Sequence, residues 1–156
     1  MDWLSYFFVS LPESLMMFMV AFILFAMKLS TRWWKVIIAG LISSILGFIA
    51  FEFIAIGILK VVLLVVTHTM LFKYLFKIPL KFAIMLTFIS ASFVLCMQMI
   101  VGLLLISLAN VDPDAFTESL PIKLVMSAGS LIVAWFSAII LKKFSVQFKI
   151  RELREY

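Results

Sequence analysis

The chain has 156 residues, 66% of them hydrophobic and only 13% charged, with a mean hydropathy of +1.26. A soluble fold of this size leaves about 30% of its chain surface wet, and soluble domains are about 25% charged, so a soluble enzyme, a nucleic-acid reader and a disordered tail are all excluded. The formal charge of +5 therefore needs a source other than nucleic acid, and one cysteine supplies neither a disulfide framework nor a thiolate metal cluster.

These features imply an all-α integral membrane protein. A bilayer core about 30 Å thick asks for roughly 20 apolar residues per helix, and charges and turn formers cut the chain into runs of that size. In chain order the expected spans are Leu4–Met27, Trp34–Phe51, Ala55–Phe76, Phe82–Leu108 and Ile122–Leu141. In the first, Pro12 is placed to open a helix, which would leave Leu4–Leu11 at the interface and make Glu13 a first-turn partner of the helix dipole. No early small-residue cleavage site is evident, so this span is expected to be retained. Between the second and third spans, Val36–Phe72 carries only Glu52 and Lys60 as charges. As one helix it would be about 55 Å long, too long for a bilayer even with tilt, so a turn is expected near Glu52–Gly57. A tight basic turn, KIPL, joins the third and fourth spans, with Pro79 opening the fourth helix. The segment Ala109–Pro121, ANVDPDAFTESLP, reads as an acidic loop.

The basic residues orient these spans. Lys28, Arg32 and Lys35 follow the first span, Lys73, Lys77 and Lys81 follow the third, and Lys142, Lys143, Lys149, Arg151 and Arg154 follow the fifth. Eleven of the 13 basic residues thus occupy alternate connections, leaving Lys60 and Lys123, while Asp112, Asp114 and Glu118 crowd the opposite loop. Positive-inside bias then gives a bundle of about five transmembrane helices, N-out and C-in, with Trp33 and Trp34 as interfacial aromatics. The chain divides into a single transmembrane domain, 1–144, and a cytoplasmic tail, 145–156. In the tail Phe148, Ile150, Leu153 and Tyr156 alternate with charges. It reads as a short amphipathic helix, lying on anionic lipid or continuing the last span toward a coiled coil.

Polar groups at membrane depth are the site candidates. Glu13, Glu52, Lys60 and Gln98 are the ligand-binding candidates. Each also has a structural reading: a dipole partner for Glu13, a solvated turn for Glu52, snorkelling for Lys60 and an interhelical hydrogen bond for Gln98. A Lys60 pair with Glu13 or Glu52 would close the outer ends of the first three helices. His68 reads as a polar spot inside the bundle or a proton sensor. It cannot form a catalytic dyad with Cys96, because helical rise puts the two about 15 Å apart along the membrane normal where a dyad needs roughly 2.6–3.2 Å. Gly40, Ser43, Ser44 and Gly47, and likewise Ser127, Ala128, Gly129 and Ser130, form small-residue faces that bring helices together within the chain or between two copies. No glycine-rich phosphate loop, HExxH or GxSxG is present, so catalytic residues, cofactors and metals are not expected. Lys142, Lys143, Lys149, Arg151 and Arg154 form a lipid- or partner-binding tail.

The opening SLPESLMMFMVAFILFAMKL, the basic turn LFKYLFKIPLK, the acidic loop, and a last span ending LKKF before a charged helix resemble one family. This layout is similar to the N-terminal membrane sensor region of the peptide-sensing histidine kinases of Gram-positive quorum sensing, the AgrC type. The resemblance implies a bundle in a bacterial plasma membrane that binds a pheromone at its outer face and passes a helix movement to a cytoplasmic module. The chain ends at Tyr156, before any phospho-accepting histidine or ATP-binding motif. The expected function is a non-enzymatic sensor or regulatory module that binds a hydrophobic or peptide ligand and signals through the last helix. The alternatives are a small transporter or transporter subunit with a midplane site of Gln98, His68 and Lys60, and an assembly subunit of a larger membrane complex. The expected partners are the bilayer with anionic lipid at its inner face, another membrane or cytoplasmic protein, and a second copy of the chain.

Overall fold

The computed structural model describes residues 3–25, 27, 33–109 and 119–143. Among them are five helices and no strand: α1 (Trp3–Leu24), α2 (Trp33–Phe53), α3 (Gly57–Tyr74), α4 (Leu80–Ala109) and α5 (Leu120–Lys143). Each end lies within three residues of the span expected from sequence. Four of them, α2 to α5, are long and apolar enough to cross a membrane, and α1 adds the apolar stretch Val9–Leu24. The longest is α4 with 30 residues and the shortest α3 with 18. The residues beyond Lys143, which include Lys149, Arg151 and Arg154 of the expected tail helix, lie outside the described residues, as do Lys28, Arg32, Asp112, Asp114 and Glu118.

One expectation fails at Pro12. The helix does not begin there but runs through it from Trp3 to Leu24. Proline removes one N–H and leaves the carbonyl four residues back without its donor. In an apolar setting every other backbone group still needs an internal partner, so continuing the helix satisfies more groups than stopping.

The connections follow local chemistry. Between α2 and α3 the chain is non-helical only at residues 54–56, inside the turn expected near Glu52–Gly57. Ile56 is extended (φ −84°, ψ 114°), and its carbonyl accepts the N–H groups of Leu59 and Lys60 at 3.1 and 3.3 Å. The α3–α4 turn is tighter. Lys77 adopts a left-handed conformation at φ 59°, which costs an L-residue about 1–2 kcal/mol. That reversal puts Phe76 and Ile78 into the core, both almost fully buried, while the Ile78 N–H donates to the Phe72 carbonyl at 3.2 Å. Pro79 stands one residue before α4 instead of inside its first turn, and its carbonyl accepts the Ala83 N–H at 2.9 Å.

The helices pack α1 on α2, α2 on α3, α3 on α4 and α4 on α1, a closed ring, with α5 laid on α1 and α4. Across the ring, α1 and α3 meet through aromatic side chains. The Phe18 ring lies 4.9 Å from Phe72 and 5.9 Å from Phe76, and Phe22 lies 5.1 Å from Phe76. The outward faces carry large exposed hydrophobics such as Ile45, Ile58, Val61, Leu95, Leu103 and Phe136, as lipid-facing helices do.

The small residues of α2 face inward. Gly40, Ser43, Ser44 and Gly47 are buried in the contacts that α2 makes within its own chain. A β-carbon on Gly40 would stand 2.6 Å from Leu15 Cδ2 and 2.9 Å from its Cγ. Gly40→Leu is therefore expected to wedge α1 from α2 and lower the unfolding free energy by about 1–3 kcal/mol, measured by unfolding in mixed micelles. Adding Leu15→Ala should recover part of that loss. A Gly40→Leu protein as stable as the native one would show that this contact is loose.

Candidate functional site

The described polar side chains fall into separate nodes. The first joins three helices. Gln98 of α4 donates from Nε2 to Oε1 of Glu13 on α1 at 2.9 Å, across 85 residues of sequence. Ser127 of α5 stands beside Glu13. Its hydroxyl lies 3.4 Å from the Val9 carbonyl, one turn before Glu13. Glu13 and Gln98 are half-buried and Ser127 is buried, so the node is an inward-facing contact and not a surface pair. An amide N–H on the Glu13 carboxyl group, with the Ser127 hydroxyl beside it, makes this a place where a cationic or hydrogen-bond-donating group could compete for Glu13.

The second node surrounds His68 on α3. Nδ1 lies 2.8 Å from the Leu64 carbonyl, which can only accept, so Nδ1 carries the proton. In the neutral ring Nε2 then accepts from the Ser43 hydroxyl of α2 at 3.0 Å. Phe18 of α1 stacks on the imidazole, with centroids 5.2 Å apart and planes 23° from parallel. One residue on, the Thr69 hydroxyl donates to Thr87 of α4 at 3.2 Å. Thus His68 and Thr69 fasten α3 to both of its ring neighbours. Both His68 nitrogens are engaged within this node, while Cys96 is exposed on α4 beside Ser92, Phe88 and Leu141.

Lys60 corrects an expectation. It pairs with neither Glu13 nor Glu52; its ammonium donates to the Phe51 carbonyl at 3.2 Å and lies 4.5 Å from the centre of the Phe51 ring. The reason is local. The last carbonyls of α2 have no intrahelical donor, and Lys60, one turn into α3, reaches back across a three-residue break to one of them. Glu52 is exposed near the end of α2. Of the four ligand-binding candidates, the structure therefore brings together Glu13 and Gln98 only. Nor does it assemble a midplane cluster: Gln98, His68 and Lys60 each have their hydrogen bonds elsewhere.

At one end of the bundle lysines collect. Lys35 begins α2, Lys73 ends α3, Lys77 is in the turn, Lys81 begins α4 and Lys143 ends α5. Lys35 also holds the turn, donating to the Leu75 carbonyl at 3.1 Å. Lys143 is exposed, and Lys142 is the residue before it in α5.

Sequence reasoning missed three participants. Ser127 was legible as a small residue but not as a neighbour of Glu13 bonded to the Val9 carbonyl, and Thr69 and Thr87 were not singled out. A signal existed for the last two: the run Thr67-His68-Thr69 and the pair Thr87 and Ser90 interrupt otherwise apolar helices, and all five are buried.

No family model matches the chain, and neither does any curated protein or solved structure.

Proposed function

We propose that the protein is a non-enzymatic membrane sensor or regulatory module, oriented N-out and C-in in a bacterial plasma membrane. The observation that carries this reading is the Glu13–Gln98–Ser127 node. It ties α4 to α1 through Gln98 and Glu13, and α5, the helix that leads into the basic tail, to α1 through Ser127 and the Val9 carbonyl, hydrogen bonds that a ligand can exchange. The lysines gathered at the opposite end from Trp3 support the orientation through positive-inside bias.

In this reading a hydrophobic or peptide ligand with a donor group reaches the outer half and takes the place of Gln98 at Glu13, beside Ser127. Such a ligand shifts α5 only by the difference between its affinities for the two arrangements. The tail with Lys142, Lys143, Lys149, Arg151 and Arg154 then changes its hold on lipid or on a protein partner. The resemblance to the sensor region of AgrC-type kinases points the same way and supplies the peptide as ligand class. The aromatic core and His68 serve as the fixed frame against which α5 moves.

The test compares transcript profiles of strains carrying the intact chain, a chain ended after Phe144, and no chain. The shortened protein is expected to reproduce the strain that lacks it, although it reaches the membrane in normal amounts. Glu13→Ala, compared at matched membrane abundance, is expected to change the output. An unchanged profile on removing the tail would sink the reading. Loss of a solute's uptake on changing Gln98, His68 and Lys60 together would favour a transporter instead, and loss of a larger membrane complex would favour an assembly subunit.

A further inference from the structure

The α2–α3 side of the bundle carries an open apolar groove of about 440 Å³, lined by Ile42, Leu46, Val66, Met70, Leu71 and Tyr74 among others. It runs to the lysine-bearing end, where Tyr74 and Leu75 form its mouth. Two cations are fixed on those two residues. The Lys73 ammonium lies 5.0 Å from the centre of the Tyr74 ring, and Lys35 donates to the Leu75 carbonyl at 3.1 Å. An ammonium has three donors, so Lys35 keeps two for another acceptor. Lys77 is exposed in the adjoining turn, and Trp33 and Trp34 are exposed at the start of α2, at the level where interfacial aromatics sit beside headgroups. Among the described residues no acidic side chain lines the groove.

We infer that this groove is a binding site for one anionic phospholipid, with an acyl chain lying between α2 and α3 and the phosphate held by Lys35 and Lys73. A hydrocarbon chain matches the apolar walls, and a negative headgroup matches the cations fixed at the mouth. A basic pocket between membrane helices is a recognised setting for anionic headgroups. A zwitterionic lipid would fill the walls equally well but place its own cation among the lysines. The site is separate from the Glu13 node, and it does not rest on the sensor reading.

The test uses the full chain in a neutral detergent, titrated with phosphatidylglycerol or with phosphatidylcholine of the same acyl chains, and native mass spectrometry counts retained lipid. Preferential retention of one phosphatidylglycerol per chain is expected. Lys35→Gln and Lys73→Gln should each weaken it about fivefold, and the double variant more than either. Val66→Trp, which fills the groove and leaves the lysines in place, should reduce retention of both lipids while helix content and melting temperature hold. Equal retention of the two lipids would overturn the proposal. So would full retention by Val66→Trp, or by the double lysine variant. Retention lost only on neutralising Lys142, Lys143, Lys149, Arg151 and Arg154 would move the anionic site to the tail and overturn it as well. Retention of glycerol phosphate as tight as that of the lipid would show that the groove plays no part and overturn the proposal.

Discussion

Phe18→Ala is expected to destabilise the protein by about 2–3 kcal/mol, the largest loss from any single truncation in the bundle. Phe18 is fully buried and is the side chain through which α1 reaches His68, Phe72 and Phe76 on the far side of the ring. In a water-soluble core the same change costs about 3–5 kcal/mol, part of it for transferring the ring out of water. Lipid tails are as apolar as a protein interior, so that part drops out and the lost packing around the cavity remains. Unfolding in mixed micelles measures it. Phe18→Leu should cost less than half as much, because it refills most of the space. A Phe18→Ala protein with native stability would mean that α1 and α3 are held across the ring by something other than this cluster.

The second large effect concerns Gln98, and there the sign of a double change is the informative part. Gln98→Leu removes the amide that donates to Glu13 and leaves a half-buried carboxylate short of a partner, which should cost about 1–3 kcal/mol. Glu13→Leu alone leaves the amide unmatched and should cost a similar amount. Changing both to leucine removes the need for the bond, so the double variant should be more stable than either single one. Additive losses would show that the two side chains do not depend on each other. Output should respond differently from stability. If the node couples α5 to α1, the double variant folds well yet no longer responds.

Much of the fold was legible because a bilayer imposes so narrow a rule on sequence. Twenty apolar residues bounded by lysines leave few options, and even the short break between α2 and α3 followed from the length of a helix spanning Val36–Phe72. Pro12 was misread because the soluble-protein habit of placing proline at a helix start carries less weight where backbone groups have no water to turn to. The site was legible only as a set of polar residues. That Gln98 and Ser127, not Lys60, meet Glu13 depends on which helices become neighbours in the ring and at what register, and no local pattern encodes that. For Lys60 the competing partner was close in sequence, a carbonyl nine residues back, and a helix end always offers one.

The two extreme helix lengths have a mechanical consequence. At 1.5 Å per residue, α4 with 30 residues rises about 45 Å, whereas α3 with 18 rises about 27 Å. The two lie side by side, joined through Thr69 and Thr87. A hydrocarbon slab about 30 Å thick is too thin for one flank and slightly too thick for the other. The surrounding lipid must stretch along α4 and compress along α3, or the whole bundle must lean to share the mismatch. The angle at which this protein sits thus depends in part on the thickness of its membrane.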